Sequence, residues 1–180
     1  MVYVLLGTGF EEIEALTPVD LLRRAGVQVR TVGLNGKTVF GGHTIGVQCD
    51  IQIDELDVSD AEMIVLPGGL GGVASIRACD AALKAVRTVH ENGKYVAAIC
   101  AGPTVLADLG LLTGVRATCY PGQIPNMRDA QVVEKAACVT DGKIITGTSA
   151  GTAVPFALAL IQALKGPEAA GAIADQIVIR

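Results

Sequence analysis

YVAAICAGP, residues 95–103, joins a run of mostly apolar residues to the start of a predicted helix. The run Tyr95–Ile99 is typical of a strand that is covered on both faces of a parallel sheet. Cys100 follows it directly, with a small residue two positions before it (Ala98) and another two positions after it (Gly102). Because a strand and a helix cross closely only where such positions are small, the stretch predicts a nucleophile elbow with Cys100 at its tip.

Segments typical of strands and helices alternate along the rest of the chain. The predicted strands are Val2–Leu6, Val27–Val32, Met63–Leu66, Tyr95–Ile99, Val115–Cys119 and Ile177–Ile179. The predicted helices are Glu11–Ala25 (which Pro18 should kink or restart), Ser75–Asn92, one after Gly102, Thr152–Leu164, and an Ala-rich one after Pro167. Hairpins are predicted within 37–53, turning at Gly41-Gly42, and within 138–146, turning at Asp141-Gly142. This alternation predicts one α/β domain over residues 1–180, with a mostly parallel sheet between two helical layers.

The composition limits the classes of function. Aliphatic side chains must supply the core, because 51% of the 180 residues are hydrophobic but only 3% are aromatic. A net charge of −4 with no long basic run disfavours nucleic acid as the main partner. The apolar runs are too short to span a bilayer, and the first residues lack the basic region and cleavage site of a signal peptide. We therefore predict a cytoplasmic protein that does not act at a membrane.

The five cysteines are predicted to be free thiols in a reducing compartment. They are Cys49, Cys79, Cys100, Cys119 and Cys138, and neighbouring cysteines are at least 19 residues apart. Because no Cys-x-x-Cys pair is present, neither a zinc site nor a thioredoxin-type site is supported, and we expect no metal. Most of these thiols should be small buried apolar groups.

Cys100 differs from the others by its position between a strand and a helix. The elbow should present the side chain at the carboxyl edge of the sheet, near helix N–H groups that favour a thiolate. The alternative is a buried structural cysteine at a strand–helix junction. Backbone N–H groups of Gly68, Gly69 and Ala101 are candidates for an oxyanion hole, although Gly68-Gly69 alone also fits an ordinary turn.

Glu14 is the predicted acidic partner of Cys100. Glu11 and Glu12, which begin the same helix, are explained by its dipole. Glu14 instead lies between Ile13 and Ala15, where partial desolvation should raise its pKa. It could then hydrogen-bond to a thiolate or act as a general acid and base.

The histidines do not offer a base for a cysteine peptidase. His90 lies near a predicted helix C-terminus, where a cation is favourable, and His43 lies in the glycine-rich hairpin and is expected at the surface. A Cys–His pair is therefore poorly supported.

Several of these motifs together resemble the ThiJ/PfpI superfamily, in the branch of the parkinsonism-associated protein (DJ-one). The resemblance covers nearly the whole chain and is carried by EEIE at 11–14, VLPGG at 65–69 and AAICAGP at 97–103. It implies a flavodoxin-like three-layer sandwich, a homodimer, an oxidation-prone nucleophile at Cys100, a protonated Glu14, and backbone donors at Gly69 and Ala101. It also implies activity without a cofactor: glyoxalase activity that converts methylglyoxal to lactate, deglycase activity, redox sensing or chaperone-like behaviour.

The chain departs from the pattern of this superfamily at several positions. Ala101 replaces the histidine that follows the nucleophile in the protease-like branch, which disfavours a peptidase. Tyr120 replaces a histidine found before a proline in some relatives, which removes one candidate base. Cys119 is a candidate neighbour of Cys100, and hydroxyls of Thr148 and Ser149 are candidate polar contacts in the pocket. The sequence favours an enzyme acting on small α-oxoaldehydes over the alternative, a redox sensor or chaperone.

Overall fold

The protein is built around a seven-stranded sheet. The computed structural model describes residues 1–179. The strands are β1 Val2–Leu6, β2 Val29–Gly33, β3 Thr38–Phe40, β4 Gly46–Gln48, β5 Ile51–Gln52, β6 Met63–Leu66, β7 Tyr95–Ile99, β8 Arg116–Ala117, β9 Gln131–Val132, β10 Cys138–Asp141 and β11 Ile144–Gly147. The helices are α1 Glu12–Arg24, α2 Leu70–Arg77, α3 Asp80–Glu91, α4 Pro103–Asp108, α5 Ala153–Lys165 and α6 Pro167–Gln176.

The main sheet has the order β10-β11-β7-β6-β1-β2-β5 and is parallel except for the β10–β11 pair. Each parallel strand therefore ends at the same edge, where β1, β6 and β7 are adjacent. These three strands lead directly into the loops that contain the predicted site residues. The predicted mostly parallel α/β fold with a flavodoxin-like sheet is confirmed.

Alternating strand residues contribute to two separate hydrophobic cores. On one face, Val2 and Val4 pack in the core formed with α1, α5 and α6. On the other face, Tyr3 and Leu5 pack in the core formed with α2, α3 and α4. All four side chains are at least 97% buried, which is why β1 is apolar at every position. The sheet is thus covered on both faces, as the alternation of segments predicts.

The two predicted hairpins are confirmed, with different relations to the sheet. β3 and β4 pair antiparallel outside the main sheet, as the predicted insert, whereas β10 and β11 form its antiparallel edge. The predicted strand at 115–119 is shorter than expected and forms a separate two-stranded ladder with β9.

Helix α1 continues through Pro18 and does not restart there.

Two predicted elements are wrong. The predicted helix from Ser75 to Asn92 is two helices, α2 and α3, and Ser75 lies inside α2, where its hydroxyl donates to the Thr8 carbonyl at 3.2 Å. Cys79 is the N-cap of the second helix. The predicted strand at 177–179 is a helix end, because Ile177 and Val178 donate their N–H groups back to the carbonyls of Ile173 and Asp175. Across residues 1–179, no helix is long and apolar enough to cross a membrane.

Candidate active site

Cys100 lies at a sharp turn between β7 and α4. Its backbone has φ +64°, a left-handed conformation that is uncommon for a residue with a side chain. The turn is held from both sides, because the Cys100 N–H donates to Gly147 and the Cys100 carbonyl accepts from Tyr120, at 3.0 and 2.9 Å. A β-carbon at Gly102 would lie 2.6 Å from the Leu66 carbonyl oxygen, so only glycine fits this crossing of strand and helix. These are the local requirements of a nucleophile elbow.

Glu14 extends from α1 beneath the same turn and is only 1% exposed. Its Oε2 accepts a hydrogen bond from the Gly68 N–H at 2.9 Å. Burial raises the pKa of the Glu14 carboxyl to about 7, although hydrogen bonds from the Cys100 thiol and the Gly68 N–H act in the opposite direction. The prediction of a desolvated Glu14 with a raised pKa agrees with this geometry.

The Cys100 thiol has a higher pKa than the helix dipole predicts. Burial and the neighbouring Glu14 carboxylate raise the pKa of Cys100 to about 12, and the N–H groups of Ala101 and Gly69 only partly counteract this. Helix α4 has six residues, so its dipole is weak beside the cost of burial. The charge of Glu14 raises the pKa of Cys100 only while the Glu14 carboxyl is ionised. Between about pH 7 and pH 12 the pair therefore holds one proton, and a thiolate forms when that proton resides on Glu14.

The backbone donors have two different partners. The N–H groups of Gly69 and Ala101 act on the Cys100 sulfur, where both lower its pKa, and they are suited to stabilise an anionic group there. The Gly68 N–H is bound to Glu14, so the prediction that Gly68 contributes to an oxyanion hole is wrong. The Gly68 N–H instead holds the Glu14 carboxyl in place, because a buried carboxyl needs a hydrogen-bond donor.

Replacing Gly68 with alanine should disturb the Glu14 carboxyl and the Cys100 side chain together. A β-carbon there would lie 2.7 Å from the Cys100 β-carbon and would also collide with Glu14 Oε2. We expect a loss of about 1–3 kcal/mol in the free energy of unfolding, the usual cost of overpacking a core. Urea unfolding of Gly68→Ala would measure this loss.

Gly171→Ala is the matched control, since Gly171 lies inside α6 and a β-carbon there meets open space. This change should stabilise the protein by about 0.5–1 kcal/mol, because alanine favours a helix more than glycine does. If Gly68→Ala were as stable as wild type, the close packing of Glu14 and Cys100 described above would be wrong.

A pocket of about 460 Å³ opens over the Cys100 sulfur. It is lined by Glu11, Glu14, Gly69, Leu70, Cys100, Ala101, Tyr120, Gln123, Ser149, Ala150 and Gly151. Tyr120 and Ser149 therefore lie where the sequence predicts them. A volume of this size accommodates a small organic molecule.

Cys119 and Thr148 do not line the pocket, contrary to the prediction. Cys119 is 3% exposed, and its thiol donates to the Tyr120 carbonyl at 3.3 Å. The Thr148 hydroxyl donates to the Ala136 carbonyl and lies 3.1 Å from the Thr118 hydroxyl. Each of these side chains instead donates a hydrogen bond to a backbone carbonyl.

Five residues of the pocket wall were not predicted from the sequence: Glu11, which was assigned only to the helix dipole, and Leu70, Gln123, Ala150 and Gly151. Leu70 directly follows the Gly68-Gly69 turn, so its proximity to that turn was an available signal. Gln123 lies in a 3-10 helix at Pro121–Asn126, and Ala150 and Gly151 begin a second one. Such short helices have no clear periodicity in sequence.

Both histidines lie outside the pocket. His43 is exposed at the turn of the β3–β4 hairpin, where its N–H and its Nδ1 contact the two carboxylate oxygens of Glu12 at 2.7 and 2.9 Å. Glu12, predicted only to favour the helix dipole, is thus 95% buried beneath this contact. Glu11, Glu12 and His43 offer atoms within 4.8 Å of one another. Within this group, His43 Nδ1 and a Glu12 carboxylate oxygen contact each other directly.

Comparison with known sequences gives a consistent set of relatives. The profile of the DJ-1/PfpI family matches residues 1–163. Protein dj-1beta of Drosophila melanogaster is 34% identical over 178 residues, which is 98% of this chain and 95% of that protein. A protein of Pyrococcus horikoshii that is named a deglycase is 32% identical over 146 residues, which is 81% of this chain and 87% of that protein.

Solved structures of related proteins are similar to this chain in both fold and sequence. The crystal structure of Drosophila melanogaster DJ-1beta matches with a TM-score of 0.94 and 34% identity, over 99% of this chain and 97% of that chain. The oxidized form of Toxoplasma gondii DJ-1 matches with a TM-score of 0.92 and 33% identity, over 98% and 97% of the two chains. Fold, sequence and length therefore agree over almost the whole molecule.

Proposed function

The chain belongs to the DJ-1/PfpI family, and from this premise we propose that it is a cofactor-independent enzyme that converts small α-oxoaldehydes to 2-hydroxy acids, methylglyoxal to lactate among them. One observation carries the proposal: a thiol and a carboxyl with a pKa raised to about 7 share a pocket of about 460 Å³ with the backbone of Gly69 and Ala101, whose N–H groups lower the pKa of the thiol. The relative named a deglycase supports carbonyl chemistry of this kind.

The first step is addition of sulfur to the aldehyde. Proton transfer from Cys100 to Glu14 gives the thiolate, whose sulfur forms a bond to the aldehyde carbon of methylglyoxal. The electron pair of the C=O bond moves to oxygen, and the N–H groups of Gly69 and Ala101 are suited to stabilise this oxyanion. Protonation of the oxygen by Glu14 gives a hemithioacetal and leaves a carboxylate at Glu14.

The second step moves a proton between adjacent carbons. The Glu14 carboxylate removes the proton from the former aldehyde carbon, which gives an enediolate. The hydroxyl proton on the oxygen of that carbon passes to the oxygen of the neighbouring carbon, and Glu14 returns its proton to the neighbouring carbon itself. The result is a thioester of lactate on Cys100. Water hydrolyses the thioester, which releases lactate and restores the thiol. The carbon skeleton is oxidised at one carbon and reduced at the next, so no external oxidant or reductant is required.

Product formation by the wild-type protein tests the proposal. Protein treated with a chelator should form lactate from methylglyoxal in amounts far exceeding the amount of protein, as measured by NMR of the reaction mixture. Alkylation of Cys100 with iodoacetamide, located by peptide mass, should stop the reaction. A chelated sample that forms no lactate, or an alkylated sample that forms it at the normal rate, would contradict the proposal.

A redox-sensing role is the second candidate, because Cys100 is the one thiol that lines the pocket among residues 1–179. Oxidation to a sulfinic acid would place oxygens near the N–H groups of Gly69 and Ala101 and the carboxyl of Glu14. Under mild peroxide, the Cys100 peptide should gain the mass of two oxygen atoms before the other four cysteines react. Equal oxidation of all five cysteines would exclude this role.

A further inference from the structure

Two of the large side chains that line the pocket are open to solvent. Leu70 is 72% exposed and Tyr120 is 49% exposed, although both border the pocket. Leu70 is the first residue of α2, and Tyr120 precedes the 3-10 helix at Pro121–Asn126. An exposed leucine and an exposed aromatic ring at one concave site leave apolar surface that a ligand can cover.

Backbone hydrogen bonds join Tyr120 to the elbow. Its N–H donates to the Cys100 carbonyl at 2.9 Å, and its own carbonyl accepts from the Gln123 N–H at 2.7 Å. A β-carbon at Gly122 would lie 3.3 Å from the ring, so the ring rests against a residue that has no side chain. The Cys100 backbone therefore anchors the residue that carries the aromatic ring.

The ionisable groups that line the pocket disfavour a negatively charged substrate. Within residues 1–179, the lining includes the carboxyls of Glu11 and Glu14 but no lysine, arginine or histidine. Glu11 Oε1 caps α1 through the Ile13 N–H at 3.4 Å, and Glu11 Oε2 lies 3.7 Å from Nδ1 of His43, which is outside the lining. A substrate with a carboxylate or phosphate would meet two acidic groups and find no cationic side chain in the pocket wall.

We propose that this pocket selects uncharged α-oxoaldehydes with an aromatic or bulky apolar substituent, with Tyr120 and Leu70 as its specificity-determining residues. The inference rests on the proposed function and specifies its substrate class. Phenylglyoxal is the simplest example: addition of sulfur, proton transfer and hydrolysis as above convert it, with one water, to mandelate. A ring packed against Tyr120 and Leu70 contributes about a tenfold preference, the usual size of an aromatic contact.

Steady-state kinetics test the selection. Wild type should have a kcat/KM for phenylglyoxal about tenfold or more above that for methylglyoxal. Tyr120→Ala should lower this ratio about tenfold, whereas Tyr120→Phe, which keeps the ring, should preserve it. Ile45→Ala is the matched control, because Ile45 is 53% exposed on the β3–β4 hairpin and does not line the pocket.

Alkylation of Cys100 gives a readout that does not depend on turnover. The thiol should react faster with N-phenyl iodoacetamide than with iodoacetamide, and most slowly with the anionic iodoacetate, after each rate is divided by that of free cysteine. Tyr120→Ala should remove the advantage of the phenyl reagent.

The outcomes separate the two proposals. Methylglyoxal turnover without a preference for phenylglyoxal would overturn the selection and leave the proposed function standing. Failure to turn over either aldehyde would overturn the proposed function, and the alkylation rates would then decide whether the pocket prefers apolar, uncharged ligands. Equal normalised rates for the three reagents would overturn that preference as well.

Discussion

Replacing Cys100 with serine should reduce the turnover of methylglyoxal by at least about 10³-fold, the scale expected when a nucleophile is lost. A serine hydroxyl is far less acidic than a thiol, and the pocket holds no histidine among the described residues to activate it. Glu14, with a pKa raised to about 7, is too weak a base to deprotonate an alcohol effectively. The rate of lactate formation, measured by NMR, checks this expectation.

Cys79→Ser is the matched control for this variant. Cys79 is the N-cap of α3, a position where serine is favourable, and it does not line the pocket. We expect normal turnover and unchanged or slightly higher stability for Cys79→Ser. Thermal unfolding of Cys100→Ser should remain close to that of wild type, since serine is of similar size. Normal activity of Cys100→Ser would remove the thiol from the mechanism.

The strands of the sheet and the order of the elements can be predicted because local sequence patterns specify them. A strand buried on both faces must be apolar at every position, so β1, β6 and β7 can be recognised without knowledge of their neighbours. The hairpin turn at Asp141-Gly142 is equally local, because Gly142 takes the positive φ that the turn requires. The boundary between α2 and α3 has neither glycine nor proline, and therefore no local signal marks it.

The candidate site was predictable where backbone geometry determines it. Gly102 and Ala98 indicate the elbow, and the position of Glu14 within an apolar part of α1 indicates its burial. The partner of the Gly68 N–H is a contact across 54 residues, which no local pattern specifies. The partner of the Thr148 hydroxyl, the Ala136 carbonyl, is likewise twelve residues away in the sequence.

Glu14→Gln should lower kcat/KM for methylglyoxal by about 10²–10⁴-fold, the usual contribution of a general acid and base. Glutamine has nearly the same shape, and its amide oxygen can still accept from the Gly68 N–H, so the fold is retained. It cannot carry a proton between adjacent carbons. Turnover near that of wild type would show that another group performs the proton transfer.

The same substitution should make the protein more stable at alkaline pH. Because the folded pKa of about 7 lies above the ordinary value of 4.5, stability falls as pH rises from 4.5 to 7 and then levels off. That interval corresponds to about 3 kcal/mol in the free energy of unfolding. Urea unfolding at pH 4 and pH 8 should show that wild type loses about this much more stability than Glu14→Gln does.

The reactivity of the thiol should change in the direction opposite to turnover. The Glu14 carboxylate is one of the causes that raise the pKa of Cys100, so its removal lowers that pKa and increases the fraction of thiolate at pH 8. Iodoacetamide should therefore alkylate Cys100 faster in Glu14→Gln than in wild type, while lactate formation declines. This opposition separates proton transfer from activation of the thiol: if Glu14 served only to activate Cys100, alkylation and turnover would decline together.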